Sequence, residues 1–342
     1  YFTGDFGGRE YWEFNPIWAL PIFISFIVFL VFYIHQIGFK VKWPVYYWMW
    51  LTGLVFFIFT FIENYLWILP YFREHFIADM TIQWKVNGSL VGAINQIIYG
   101  VAFYLMEKIS SDEKSSYQKL SFAMYFLGMF NLMFNWGHHI YLLPTEKFIH
   151  YIAYAVSMTE WIILIRIFYK WSKQIKENKQ FYYFFPYRFL MAADYWVTIN
   201  LTLALFMSIP AINLYTHGTH ITVAHAMGTT IGINTMIIIA GIFYFIQPTF
   251  QNTKWKRFGS ITFWIVQGTL FLFLSSLIGM GIHRAIWQAG LTSESFSKMS
   301  SSSENWVLLF IIFGTILFLS MGTFIVYLFV KSWKKNKFDF PY

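Results

Sequence analysis

Apolar runs of about the same length recur along the chain, at 16–37, 46–69, 86–106, 119–143, 148–169, 187–209, 221–247, 259–283 and 305–330. The hydrocarbon core of a bilayer, about 30 Å thick, is crossed by about 20 helical residues. The pattern therefore predicts an all-α fold, a polytopic transmembrane bundle of about nine spans. Short polar segments join the runs, with no linker or low-complexity tract between them, so residues 1–342 read as a single integral membrane domain. The one Ser-rich stretch, 293–303, reads as a loop.

Composition sharpens this picture. Residues are 58% hydrophobic and only 12% charged, which excludes an ordinary soluble domain. The 23% that are aromatic include Trp and Tyr gathered where apolar runs end, as in the belts at headgroup level. Without cysteine, the chain itself can form no disulfide, thiolate metal site or iron–sulfur cluster. A metal must be held by His, Met, carboxylate or carbonyl groups. The net charge of +8 comes from Lys and Arg in short loops rather than from a basic domain, so the lipid bilayer is the expected partner and nucleic acid is not.

Alternate loops differ in charge. Lys40 and Lys42, Lys108 and Lys114, Lys170 to Lys179, Lys254 to Arg257 and Lys331 to Lys337 lie on one side. The other side holds little more than Arg9, Arg73, Lys85, Lys147, Arg284 and Lys298. The positive-inside rule makes the first side cytoplasmic, with the C-terminus inside and Tyr1 outside. No signal peptide precedes Tyr1, so an odd number of upstream spans, on the same or another polypeptide, is expected to carry that end across.

An ionisable group at the centre of a membrane helix costs roughly 2.5 kcal/mol or more, which makes each one a functional candidate. His138 and His139 fall near the outer end of the fourth run and His225 near the outer start of the seventh, so loop charge alone assigns the three imidazoles to one depth. Adjacent residues diverge by about 100° on an ideal helix, and both histidines can ligate only if the helix is distorted, for instance at Gly137, or if a metal lies between their directions. His35, His75, His150 and His283 are single interfacial histidines and read as structural.

The segments GREYWEF (8–14), WKVNGSLVG (84–92), NWGHHIY (135–141), SMTEW (157–161) and YTHGTHITVAHAM (215–227) resemble, in order and spacing, motifs of the large catalytic subunit of the nitric oxide reductase family, within the haem-copper oxidase superfamily. The resemblance covers essentially the whole chain, matching the last nine of that subunit's twelve spans. It implies a non-haem iron on His138 and His139, a high-spin haem b on His225 and a catalytic carboxylate at Glu160. It also implies nitric oxide as substrate, an electron-donor subunit or cytochrome, a partner polypeptide supplying the absent upstream spans, and a prokaryotic inner membrane location.

Two departures qualify what the resemblance implies. Where the family has a third iron-binding histidine and a nearby glutamate, this chain has Asn87 and Val91. An amide oxygen is a weaker, harder ligand than imidazole, and the lost carboxylate removes a proton donor. This pairing is similar to the nitric oxide dismutase branch. Where the family has a second haem-binding histidine, this chain has Met227, whose thioether can serve a low-spin haem b shared with the upstream spans. The expected function is nitric oxide reduction, with dismutation and a non-catalytic degenerate subunit as alternatives. Oxygen reduction at copper is disfavoured, because no Tyr is spaced from a His on one helix as the crosslinked cofactor of those oxidases requires.

Overall fold

The computed structural model describes residues 15–38, 42–157, 160–246 and 253–334. The chain divides into two compact units, Tyr1–Trp171 and Ser172–Tyr342. No strand occurs among the described residues, and eight helical stretches are long and apolar enough to cross a membrane.

The first unit holds α1 (Ala19–Ile37), α2 (Val45–Asn64), α3 (Phe76–Ser110), α4 (Lys119–Phe134), α5 (Lys147–Ser157) and most of α6 (Glu160–Gln174). Apolar side chains surround α1 on all faces, and Val28, Phe29, Val31 and Phe32 stay exposed, as expected of a helix whose outer solvent is lipid. Its contact with α2 is aromatic, through Phe26 stacked on Phe57 at 3.8 Å and Phe23 on Phe61 at 5.7 Å. The main pairing of the unit is α2 along α3. Lipid is as apolar as Leu, so helices gain nothing by excluding it and rely on close approach and hydrogen bonds. Gly53 supplies the approach, with the Ala93 carbonyl and Ile97 where its Cβ would be. Trp50 Nε1 supplies the bond, donating to the Ile97 carbonyl at 3.0 Å. At the other end, Trp171 Nε1 donates to the Met106 carbonyl and ties α6 to α3.

The second unit holds α7 (Phe184–Ser208), α8 (His220–Met227), α9 (Met236–Ile246), α10 (Thr253–Gln288) and α11 (Glu304–Lys334). The pairs α10–α11, α7–α9 and α8–α10 form its frame. Phe189, Phe243, Phe263 and Phe324 interlock at its base, with centroids 5.1–5.6 Å apart.

Three expectations change. The fourth run is not one spanning helix: α4 stops after 16 residues and the chain continues as a 3-10 helix over Asn135–Ile140. This run is not among the eight helical stretches long and apolar enough to cross a membrane. The seventh run is α8, a π-helix over Gly228–Thr235, and α9. The Ser-rich stretch is not all loop, because Ser295 caps a short helix over Phe296–Ser302 by accepting from the Lys298 amide.

The α2–α3 contact gives a direct test. Gly53→Val forces a side chain onto the Ala93 carbonyl, and overpacking of this kind costs about 1–3 kcal/mol. The thermal unfolding midpoint in detergent should fall clearly, whereas Gly322→Ala, with nothing within 4 Å of the added Cβ, should leave it unchanged or higher.

Candidate metal and haem ligands

In the first unit, the 3-10 segment Asn135–Ile140 lies against α3 on one side and α5 on the other. The packing leaves no room for side chains at the two glycines that face these helices. A Cβ on Gly88 would come within 2.7 Å of Trp136, and one on Gly137 within 2.8 Å of Ala153. With the segment wound at about three residues per turn, the rings of His138 and His139 end with centroids 4.1 Å apart and planes 41° apart. The distortion thus begins at Asn135, two residues before the glycine where the sequence suggests it.

Each ring is held from behind. His138 Nδ1 and Asn135 Oδ1 are 2.9 Å apart, so the amide oxygen accepts the Nδ1 proton and the ring's lone pair falls on Nε2. This is the outer-shell bond that metal-binding imidazoles ordinarily make. His139 stacks on Trp84 of α3 at 5.6 Å and 13°. The chemistry of the donor pair fits a first-row divalent metal. Asn87 is buried, at 4% exposure, next to Gly88 on the helix that backs the pair. Among the described residues no group of three His, Cys, Asp or Glu side chains converges, and the Asn87 amide is a candidate third ligand of another type. Val91 is 37% exposed on the same helix. Glu160 begins α6, but its side chain lies outside the described residues, as do Met158 and Thr159 of the same motif and the GREYWEF segment.

In the second unit, His225 stands near the end of α8, directly before the π-helix. One wide turn of this kind is rare and concentrates at functional sites. Asn200 of α7 supports it: Asn200 Nδ2 donates to the His225 carbonyl at 3.1 Å and to Thr229 Oγ1 at 2.7 Å, and its amide leaves no space for a Cβ at Gly228. A second brace runs through Trp196, which packs on Gly232 and donates to Gln267 Oε1 at 2.7 Å. The His225 Nδ1 atom is buried without a hydrogen-bond partner. A neutral imidazole with an unsatisfied nitrogen fits an axial haem ligand, the role that the motif implies. Met227 is 37% exposed. His217 is held below its ordinary pKa by burial and so stays neutral.

The motifs leave several residues here without a role. Asn135 lies within NWGHHIY and Asn200 within no motif, and for both only contact reveals what the amide does. Glu63 and Lys85 form an ion pair joining α2 to α3, two residues before Asn87. Asp194, on α7, buries one carboxylate oxygen without a partner; a carboxylate inside an apolar run was the available clue. The interfacial histidines make local contacts: His75 with the Tyr71 carbonyl, His150 with Thr145 and His283 with Ser303. Arg284 lies over the rings of Trp287 and Phe296.

This arrangement of helices is similar to that of a solved chain described as a heme-copper terminal oxidase dimer determined by cryo-EM, with a TM-score of 0.61 at 13% identity. The similarity covers 93% of this chain and 58% of that one, so the present chain spans under two thirds of its length. Among curated proteins none matches. The family model for cytochrome c and quinol oxidase polypeptide I matches residues 2–317, nearly the full chain, and the protein belongs to that family.

Proposed function

We propose that the chain is the catalytic part of a membrane nitric oxide reductase-like oxidoreductase, joining two NO with two electrons and two protons into nitrous oxide and water. The observation that supports this most is the His138–His139 pair, two imidazoles brought together on a 3-10 turn with the His138 proton committed to Asn135. When bound, a non-haem iron on His138, His139 and Asn87 and a high-spin haem b on His225 supply the redox chemistry and the positions for NO. Asn135 and Trp84 orient the imidazoles, and Asn200 fixes the backbone that presents His225. Glu160, at the head of α6, carries protons to the reaction. Met227 offers its thioether to a low-spin haem b shared with upstream spans.

The same reading calls for an electron-donor subunit or cytochrome, for a partner polypeptide bearing those spans, and for a prokaryotic inner membrane with the C-terminus in the cytoplasm. A second reading is favoured by Asn87 and Val91. Dismutation of two NO to dinitrogen and dioxygen needs no net protons or electrons, and an apolar Val91 where the family keeps a glutamate is compatible with it.

Three outcomes test these assignments. His225→Ala should abolish the high-spin haem spectrum, and Met227→Leu should alter only the low-spin signal; an intact high-spin spectrum in the first variant refutes the haem assignment. Asn135→Leu releases the His138 ring, and loss of such an outer-shell partner typically weakens metal affinity 10–100-fold. Iron beyond the haem iron should therefore drop in metal analysis while the haem spectrum persists. With labelled NO and an electron donor, nitrous oxide should be the product, and Glu160→Gln should slow turnover roughly 10²- to 10⁴-fold. Labelled dioxygen and dinitrogen without a donor would establish dismutation instead, and no consumption of NO under either condition would refute both readings.

A further inference from the structure

The second unit contains a cavity of about 640 Å³ between α7 and α10, away from the His225 backbone and its Asn200 support. Met191, Tyr195 and Trp196 form one wall and Phe263, Gly268 and Phe271 the other, so the lining is almost wholly apolar. Arg188 is the one charged group in that lining. Its guanidinium donates to Ser260 Oγ at 3.0 Å and lies 4.8 Å from the Phe184 ring, 5.0 Å from Phe263 and 5.5 Å from Trp264. Lys256 approaches the same platform from α10, its ammonium 3.9 Å from the Phe181 ring and 5.2 Å from Phe184.

Two cations thus share one aromatic ring, and among the described residues neither has a carboxylate within ion-pair distance. Rings of this kind attract a cation but do not neutralise it. The pair sits near the starts of α7 and α10, by the Lys-rich segments 170–179 and 254–257, the side that the positive-inside rule makes cytoplasmic. A small anion would satisfy the cations and leave the cavity empty. A neutral apolar molecule would fill the cavity and leave the cations unmatched. A phosphodiester carrying hydrocarbon chains meets both demands, since Arg and Lys bind phosphate and basic pockets between membrane helices take up anionic headgroups.

We propose that this cavity binds one anionic phospholipid, its phosphodiester between Arg188 and Lys256 and an acyl chain against Met191, Trp196 and Phe263. Trp196 also packs on Gly232 of the π-helix and bonds Gln267, so the chain end presses on the brace behind His225. The lipid is in this respect a structural ligand of the unit.

Lipid titration of the full chain in mild detergent, followed by native mass spectrometry, tests the site with phosphatidylglycerol and phosphatidylcholine of identical chains. Basic groups near a surface favour an anionic lipid by about fivefold each, so a preference of roughly 25-fold for phosphatidylglycerol is expected. Arg188→Gln with Lys256→Gln should remove the preference and leave phosphatidylcholine binding as it was. Gly268→Leu adds bulk where nothing lies within 4 Å of the Cβ and should weaken both lipids, while the cations remain. Equal affinity of the wild-type chain for the two lipids overturns the proposal without any variant. So does a preference that survives loss of both cations, displacement of phosphatidylglycerol by millimolar inorganic phosphate, or its displacement by a quinone at equal concentration.

Discussion

A peptide group inside hydrocarbon has no water to bond, so each amide and carbonyl of a spanning segment must find its partner within the protein. An unbroken α-helix meets this requirement at no further cost, and most of this chain takes that solution. The two segments that carry the candidate histidines do not. The 3-10 turn that carries His138 and His139 and the π-helix after His225 both change the hydrogen-bond pattern within a run that hydropathy reads as uniform. Such departures persist only where neighbouring elements hold them, and both do have such neighbours.

The holding is done by small residues and amides acting together. Gly88 and Gly137 let the 3-10 turn sit against α3 and α5, closer than any side chain would allow, and the Asn135 amide oxygen accepts the His138 proton. Across the chain, Gly228 and Gly232 allow Asn200 and Trp196 to reach the π-helix, and the His225 carbonyl accepts from Asn200 as well as from the Gly228 amide. A glycine without the amide would leave an unsatisfied group, and an amide without the glycine would not reach. The geometry of each candidate ligand is therefore a property of packed neighbouring helices.

Charged groups obey the same constraint by different means. Glu63 and Lys85 neutralise each other between α2 and α3. Arg188 and Lys256 lie over aromatic rings in the second unit. Asp194, with one buried oxygen lacking a partner, is the carboxylate for which packing alone gives no reason.

The sequence by itself determined the membrane class, the approximate place of most spans and the broad kinship with the haem-copper oxidases, because hydropathy and motif order are sums over neighbouring residues. It placed His138, His139 and His225 near helix ends, and those ends are where helical geometry breaks. Only the tertiary structure decided that α4 stops at Phe134, that two adjacent histidines converge rather than diverge, which nitrogen of His138 holds the proton, and that the seventh run contains a wide turn. The difference is physical. A run's mean hydropathy is indifferent to whether its residues are wound three, 3.6 or more to the turn, whereas the winding is set by what stands opposite. For the histidine pair, what stands opposite is α3 at Gly88 and α5 at Ala153, residues separated from the pair by dozens of positions or by a turn, and joined to it only by packing.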